Sequence, residues 1–219
     1  MTFDLRTIKN IDEAAEFLAG CILEQLKEGR KVLLLVPGGS AMPAAVQASK
    51  IIFTHPHENL TVTLTDERYG EVGHKDSNLF QLQEKGFDLP QAKIIPILSS
   101  KARTETVESW QTVLQEELAK ADFKIGLFGI GADAHTAGIL PRSPAVFEKN
   151  PVSLYNAGKF ERITITFSAI KKLDEAVVFA KGGEKEEVIK NFTKDLDPEE
   201  YPSQILKQVP KLTIFYLSR

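Results

Sequence analysis

Asp133 and His135 stand two residues apart in Gly131-Ala-Asp-Ala-His-Thr136, directly after an apolar run. A carboxylate at that spacing can orient an imidazole, and an imidazole so held can act as a general base near neutral pH. The same residues would also serve as a capping aspartate and a hydrogen-bonded loop histidine. Gly38, Gly39 and Ser40 follow another apolar run and precede a helical stretch. Free N–H groups at such a turn suit a phosphate or carboxylate, while the glycines alone would make a tight turn. The spacing matches neither the dinucleotide fingerprint nor the Walker pattern, so it gives no support for nucleotide binding.

Asp66-Glu67-Arg68 closes a β-rich run. Neighbouring side chains on an extended chain face opposite ways, so the two carboxylates are not expected in one pocket. Arg68 either clamps an anion through its planar fork or neutralises its two neighbours. In His74-Lys-Asp-Ser-Asn78, Ser77 or Asp76 is the cap of the next helix, and Asn78 fixes a loop or meets a sugar hydroxyl. Lys185 follows Gly182-Gly183 in the first turn of an expected helix, where the dipole disfavours a cation. Either Glu184, Glu186 and Glu187 offset it or a bound anion does. Arg142 and Arg162 are further candidates for that anion; taken singly, each reads as a solvated surface charge. His55, His57, Glu58, His74 and His135 supply donor atoms but no complete ligand spacing, so no metal site is expected. There is no G-x-S-x-G elbow for a serine hydrolase.

These residues need a scaffold, and 219 residues suffice for one. The 27 Lys+Arg against 30 Asp+Glu give a net charge of −3, which disfavours a nucleic-acid surface because the phosphate backbone needs a concentrated positive field. One cysteine, Cys21, excludes an internal disulfide framework and points to a reducing, cytoplasmic setting. Residues 1–10 lack the basic start and apolar core of a signal peptide, and no apolar run is long enough to span a bilayer. No membrane partner is expected.

Helical spacing runs over residues 12–27, with Asn10 and Glu13 as a capping box and Gly29 as the stop. A strand buried on both faces is expected at 31–36 and further strands at 60–65 and 123–130, with a short edge or irregular strand at 93–97 marked by Pro96. Further strands fall near 162–167, 176–180 and 212–217. Helices fall near 41–50, 77–85, 104–121, 184–192 and 202–208. The alternation predicts one α/β domain over residues 1–219, Rossmann-like, its largely parallel sheet covered by helices on both faces. Segments 37–40, 66–78 and 131–143 each follow a strand, so they should gather at the carboxyl edge of the sheet, where such folds bind ligands.

Taken in order, the motifs resemble the 6-phosphogluconolactonase family. The resemblance rests on Gly38-Gly39-Ser40, on Asp66-Glu67-Arg68 with Ser77-Asn78, and on Gly129-Ile-Gly-Ala-Asp-Ala-His-Thr-Ala-Gly-Ile-Leu-Pro141. Arg162-Ile-Thr-Ile-Thr-Phe and Gly182-Gly-Glu-Lys185 extend it over nearly the whole chain. It implies the fold shared by these lactonases and the glucosamine-6-phosphate deaminases. It also implies hydrolysis of 6-phosphoglucono-δ-lactone in the oxidative pentose phosphate pathway, without metal or organic cofactor. On this reading a phosphorylated sugar lactone is the partner. Its phosphate sits at Gly38, Gly39 and Ser40 with Arg68, Lys185 and Arg162, and His135 with Asp133 activates water. Backbone N–H groups of residues 131–134 are the expected oxyanion donors.

Three positions depart from the family's pattern. Ala134 replaces a usual glycine, which predicts strain if the loop turns left-handed there. Ala41-Met42 separates Ser40 from Pro43, removing one hydroxyl, and Gly138 stands where serine is common. Two alternatives are a deaminase-like isomerase and a sugar-phosphate binder without turnover. Against the first, residues 136–141 carry no carboxylate, and Arg68 occupies a position that is commonly tyrosine in the deaminases. Retention of Asp133, His135 and Arg68 speaks against the second.

Overall fold

The computed structural model describes residues 3–218, so Met1, Thr2 and Arg219 lie outside it. Along the chain run β1 (Asp4–Thr7), α1 (Asp12–Lys27), β2 (Val32–Val36), α2 (Met42–Phe53), β3 (Leu60–Leu64), β4 (Asp66–Arg68), α3 (Asn78–Glu84) and β5 (Lys93–Ile94). They are followed by α4 (Arg103–Lys120), β6 (Phe123–Phe128), α5 (Pro144–Phe147), β7 (Val152–Ala157), β8 (Phe160–Ile165), α6 (Phe167–Ile170), β9 (Glu175–Lys181), α7 (Glu186–Asn191) and β10 (Lys211–Leu217). Short 3-10 turns cover Gly39–Ala41, Gly183–Lys185 and Pro202–Gln208.

The main sheet has seven strands in the order β1-β10-β9-β6-β2-β3-β5, and its strand pairs are parallel. All five residues of β2 are buried, as its unbroken apolar run requires of a strand covered on both faces. β5 is a two-residue edge strand that pairs with β3; Pro96, just beyond it, has no N–H to extend the ladder. Helix α1 starts where Asn10 Oδ1 accepts the N–H groups of Asp12 and Glu13 at 3.0 and 3.3 Å. Glu13 reaches back to the N–H of Lys9 at 3.0 Å, one residue earlier than the expected box. Gly29, at φ 75, ends the segment and α1 packs against α2. Phe128, Phe179, Phe192 and Phe215 are fully buried; truncating any of them to alanine costs about 3–5 kcal/mol.

A second sheet was not expected. β4, β8 and β7 form an antiparallel, three-stranded layer, so Asp66, Glu67 and Arg68 open a strand of their own rather than ending β3. The segment near residues 162–167 belongs here as well. In β8 the side chains alternate between Arg162 and Thr164 on one face and Ile163 and Ile165 on the other, the mark of a strand with two different faces. Neither β1 nor β7 was anticipated. The four residues of β1 are exposed, so no apolar run betrays it.

β2 continues through α2 to β3 on one side, whereas β6 lies on the other side of β2. The chain therefore changes direction of winding between β2 and β6, and a crevice opens beyond their carboxyl ends.

Candidate active site

Segments 37–40 and 129–138 leave β2 and β6 at that switch point. Together with Asp66, Arg68, Asn78, Arg162 and Lys185 they line a cavity of about 420 Å³. Its lining includes Gly38, Gly39, Ser40 and His135. Asp133 stands outside the lining and reaches it through the imidazole.

The loop after β6 is a tight turn. Gly131 donates its N–H to the carbonyl of His135 at 2.9 Å, and Ala134 donates to the carbonyl of Gly131 at 3.0 Å. The turn lays the Asp133 carboxylate against the ring, with Oδ1 2.6 Å from His135 Nδ1 and accepting the His135 N–H at 3.2 Å. Burial pushes the Asp133 carboxyl upward, but the charge and hydrogen bonds of His135 outweigh it and hold the group below its ordinary value. An ionised Asp133 accepts from Nδ1–H, which leaves Nε2 as the basic nitrogen. A Cβ on Gly131 would lie 2.1 Å from His135 Nδ1, so glycine is required there. Ala134 sits at φ 65, which costs an alanine about 1–2 kcal/mol. Its carbonyl is held by the N–H of Ser203 at 2.9 Å. The expected strain at position 134 is present.

One expectation is narrowed here. The N–H groups of Gly131 and Ala134 are used up inside the loop, whereas those of Ala132 and Asp133 have no backbone acceptor.

At the other end of the cavity, Gly39 turns left-handed at φ 67 and begins the 3-10 turn that leads into α2. The first N–H groups of a helical segment have no partner within it, and the residues that carry them here, Gly39 and Ser40, line the cavity. Gly38 must lack a side chain, because a Cβ would lie 2.2 Å from Asn78 Oδ1. Lys185 is 7% exposed and donates from Nζ to Ser40 Oγ at 2.9 Å. Burial holds its ammonium below the ordinary lysine value, with Glu184 opposing.

Asp66 and Arg68 share a face of β4, and Glu67 points the other way, as strand alternation requires. Glu67 is buried and accepts from the N–H groups of Arg68, Asn78 and Leu79 at 2.8, 2.6 and 3.1 Å and from Ser77 Oγ at 2.8 Å. Burial raises its carboxyl and these donors oppose the rise. Ser77, not Asp76, caps α3, accepting the N–H of Phe80 at 3.2 Å. Asn78 fixes β4 by donating to the carbonyl of Asp66 at 2.8 Å, and its Oδ1 is buried without a partner. Arg68 donates to the carbonyl of Asp76 at 2.8 Å and its guanidinium lies 5.3 Å from the centre of the Phe160 ring. Its Nε and that of Arg162 are buried and unpartnered. Arg162 pairs with Asp66 at 3.4 Å. Among the described residues neither Arg68 nor Lys185 has a carboxylate within ion-pair distance, so the cavity carries two cations without a direct ion-pair partner.

Arg142 is not part of this group. It is exposed and pairs with Glu200 at 2.5 Å, consistent with its reading as a surface charge. His57 is buried by structural duties, its Nδ1 2.7 Å from the carbonyl of His55 and its Nε2 accepting the N–H of Gln91 at 3.3 Å. Among the described residues no group of three His, Cys, Asp or Glu side chains is placed to hold a metal ion, and no helix is long and apolar enough to cross a membrane. The Cys21 thiol, pushed up to about 12 by burial and by Glu175 beside it, is no nucleophile at neutral pH.

Thr164 and Tyr155 escaped the sequence reading. Thr164 Oγ1 donates to the carbonyl of Ala137, and Tyr155 Oη donates to that of Gly138 at 2.5 Å. The one signal available was the i, i+2 spacing that puts Thr164 on the same strand face as Arg162. A Cβ on Gly138 would lie 2.6 Å from Arg162 Cδ and 2.7 Å from Asp66 Oδ2, and its φ is 74. The serine common at this position in the family has no room here.

Sequence and structure comparisons find relatives that span most of the chain. The 6-phosphogluconolactonase of Synechocystis sp. is 30% identical over 165 residues, covering 69% of this chain and 68% of its own. That of Caulobacter vibrioides is 25% identical over 209 residues, 90% of this chain and 88% of its own. The crystal structure of the 6-phosphogluconolactonase from Thermotoga maritima superposes with a TM-score of 0.85 at 20% identity, covering 98% and 99% of the two chains, which establishes the fold. The profile of the family described as glucosamine-6-phosphate isomerases/6-phosphogluconolactonase matches residues 7–214, and the chain belongs to that family.

Proposed function

We propose that this protein hydrolyses 6-phosphoglucono-δ-lactone to 6-phosphogluconate in the pentose phosphate pathway, acting as one domain. The observation that carries the reading is the sharing of one cavity by the Asp133-oriented His135 and by two cations without carboxylate partners, Arg68 and Lys185. A phosphorylated lactone presents a dianion to the cations and an ester carbonyl to the imidazole. The relatives named above carry the same activity in their names.

The phosphate docks against the N–H groups at Gly38, Gly39 and Ser40, with Lys185 and Arg68 supplying charge and Arg162 completing the rim. Binding this remote dianion fixes the lactone carbonyl beside His135. His135 Nε2 takes a proton from water as the water oxygen bonds to the carbonyl carbon. The ring C–O bond then breaks, and the imidazolium returns the proton to the departing ring oxygen. Asp133 holds the ring in the required tautomer and stabilises its charged form. None of these steps requires a metal or an organic cofactor. The single cysteine supports a cytoplasmic location.

Hydrolysis of freshly generated 6-phosphoglucono-δ-lactone, followed by proton release above the spontaneous rate, tests the reading. No acceleration by folded protein would overturn it, and ammonia release from glucosamine 6-phosphate would then identify the deaminase alternative.

A further inference from the structure

The N–H groups of Gly131 and Ala134 are engaged, and neither Ala132 nor Asp133 lines the cavity, so the oxyanion of the proposed hydrolysis calls for a donor elsewhere on the lining. The segment Thr136-Ala-Gly-Ile139 supplies a candidate. Ile139 donates its N–H to the carbonyl of Thr136 at 2.7 Å, and the two central residues, Ala137 and Gly138, have φ 50 and 74. This is a type I′ turn, whose central peptide takes no part in closing the turn. That peptide joins Ala137 to Gly138, and both residues line the cavity.

Two successive peptides of the turn are held from behind, the central one by Thr164 and the one after it by Tyr155. Thr164 Oγ1, on β8, donates to the carbonyl of Ala137, and Tyr155 Oη, on β7, donates to the carbonyl of Gly138. Burial raises the Tyr155 phenol, so it remains a neutral donor. In a trans peptide the N–H points opposite to the C=O. Anchoring the Ala137 carbonyl on Thr164 therefore turns the Gly138 N–H away from the small sheet. Ala137 accepts a left-handed φ that favours glycine, as would be expected if the direction of this peptide matters.

We infer that the Gly138 N–H is an oxyanion donor for the lactone carbonyl, with Thr164 positioning its peptide directly and Tyr155 steadying the peptide that follows it. As the water oxygen bonds to the carbonyl carbon, the carbonyl electron pair moves onto its oxygen, and the Gly138 N–H donates to the resulting alkoxide. Collapse of the alkoxide restores the C=O and expels the ring oxygen, which His135 protonates. A donor fixed before the reaction needs no reorganisation when the charge appears. This inference rests on the hydrolase reading.

The test compares Thr164→Val, Thr164→Ser and Tyr155→Phe with wild type in lactone hydrolysis. Loss of one oxyanion donor costs about 10²–10³ in kcat, and a donor that is merely released should cost roughly 10–10². The expected result is that fall in kcat for Thr164→Val, with KM within about twofold and the pH profile unchanged in shape. Thr164→Ser, which keeps the hydroxyl, recovers most of the rate. Tyr155→Phe gives a smaller loss of the same kind and decides the matter if Thr164→Val does not fold. A rise in KM at constant kcat would overturn the assignment, because the N–H would then be binding a ground-state group. So would wild-type kcat in both Thr164→Val and Tyr155→Phe. If wild type shows no lactone hydrolysis, the functional reading itself falls, and this inference falls with it.

Discussion

The carboxylate of Asp133 holds His135 twice, by Oδ1 to the ring Nδ1 at 2.6 Å and by the same oxygen to the backbone N–H at 3.2 Å. Ring and backbone are thus oriented by one atom, and the residue between them, Ala134, bends left-handed to allow it. Replacing His135 by alanine should lower kcat by ~10²–10⁴, the usual contribution of a positioned acid–base group. Asp133→Asn, which can present its amide N–H to Nδ1 and favour the wrong tautomer, should lower kcat in the same direction with little change in KM. Steady-state proton-release kinetics check both.

The alanine between them offers a stability test. Ala134→Gly removes the cost of a left-handed β-carbon while adding glycine's freedom in the unfolded chain. The net expectation is a gain of up to about 1 kcal/mol, seen as a Tm higher by about 2–4 °C in thermal denaturation for a chain of this size. Turnover should be retained. A lower Tm would mean that the loop prefers some other conformation.

At the anion end, Arg68→Ala should chiefly raise KM for the phosphorylated lactone and leave an unphosphorylated lactone unaffected. Equal loss on both substrates would remove Arg68 from the phosphate site.

Lys185 gives a pH signature. Burial holds its ammonium below the ordinary lysine value in the free protein, and a bound phosphate dianion shifts it back up. Binding of 6-phosphogluconate should therefore take up protons in the alkaline range below the ordinary lysine value, where the phosphate, with a second pKa of about 6, is already a dianion. Calorimetry in buffers of differing ionisation enthalpy measures this uptake. Lys185→Arg should abolish it, because a guanidinium stays charged.

Glu67 never touches the cavity, yet it gathers the N–H groups of Arg68, Asn78 and Leu79 with the hydroxyl of Ser77. Glu67→Gln presents an amide donor to groups that are all donors, leaving at least one buried and unsatisfied. The expected cost is about 1–3 kcal/mol in denaturant unfolding, with a raised KM as Asn78 and Arg68 lose their common anchor.

The parallel sheet was legible because apolar runs such as residues 32–36 can be buried on both faces only in that setting, and the polar segments after them had to meet at one edge. The small antiparallel sheet was not. β4 has only three residues, and β7, Val-Ser-Leu-Tyr-Asn-Ala, mixes burial with exposure too irregularly to declare its face. The cavity residues could be picked by type: Gly38, Gly39, Ser40, Asp66, Arg68, Asn78, Arg162, Lys185 and His135 all line it. What could not be read was which N–H groups the loops consume internally, since that depends on a turn closing through Gly131 and His135. The supporting roles of Ser203, Tyr155 and Thr164 were equally hidden, because each comes from a segment distant in sequence.

Strand β1, the first in the chain, lies at the sheet's edge and pairs with β10, the last, while Lys185 reaches Ser40 across 145 residues of sequence. During synthesis β1 must wait for its neighbour until nearly the whole chain has emerged, and the anion site cannot close before β9 has docked beside β6. An assembly of β2, β3 and β6 alone would carry the histidine loop but lack the lysine. Regain of phosphate binding on refolding therefore reports the docking of the carboxyl-terminal segment that brings Lys185 to Ser40.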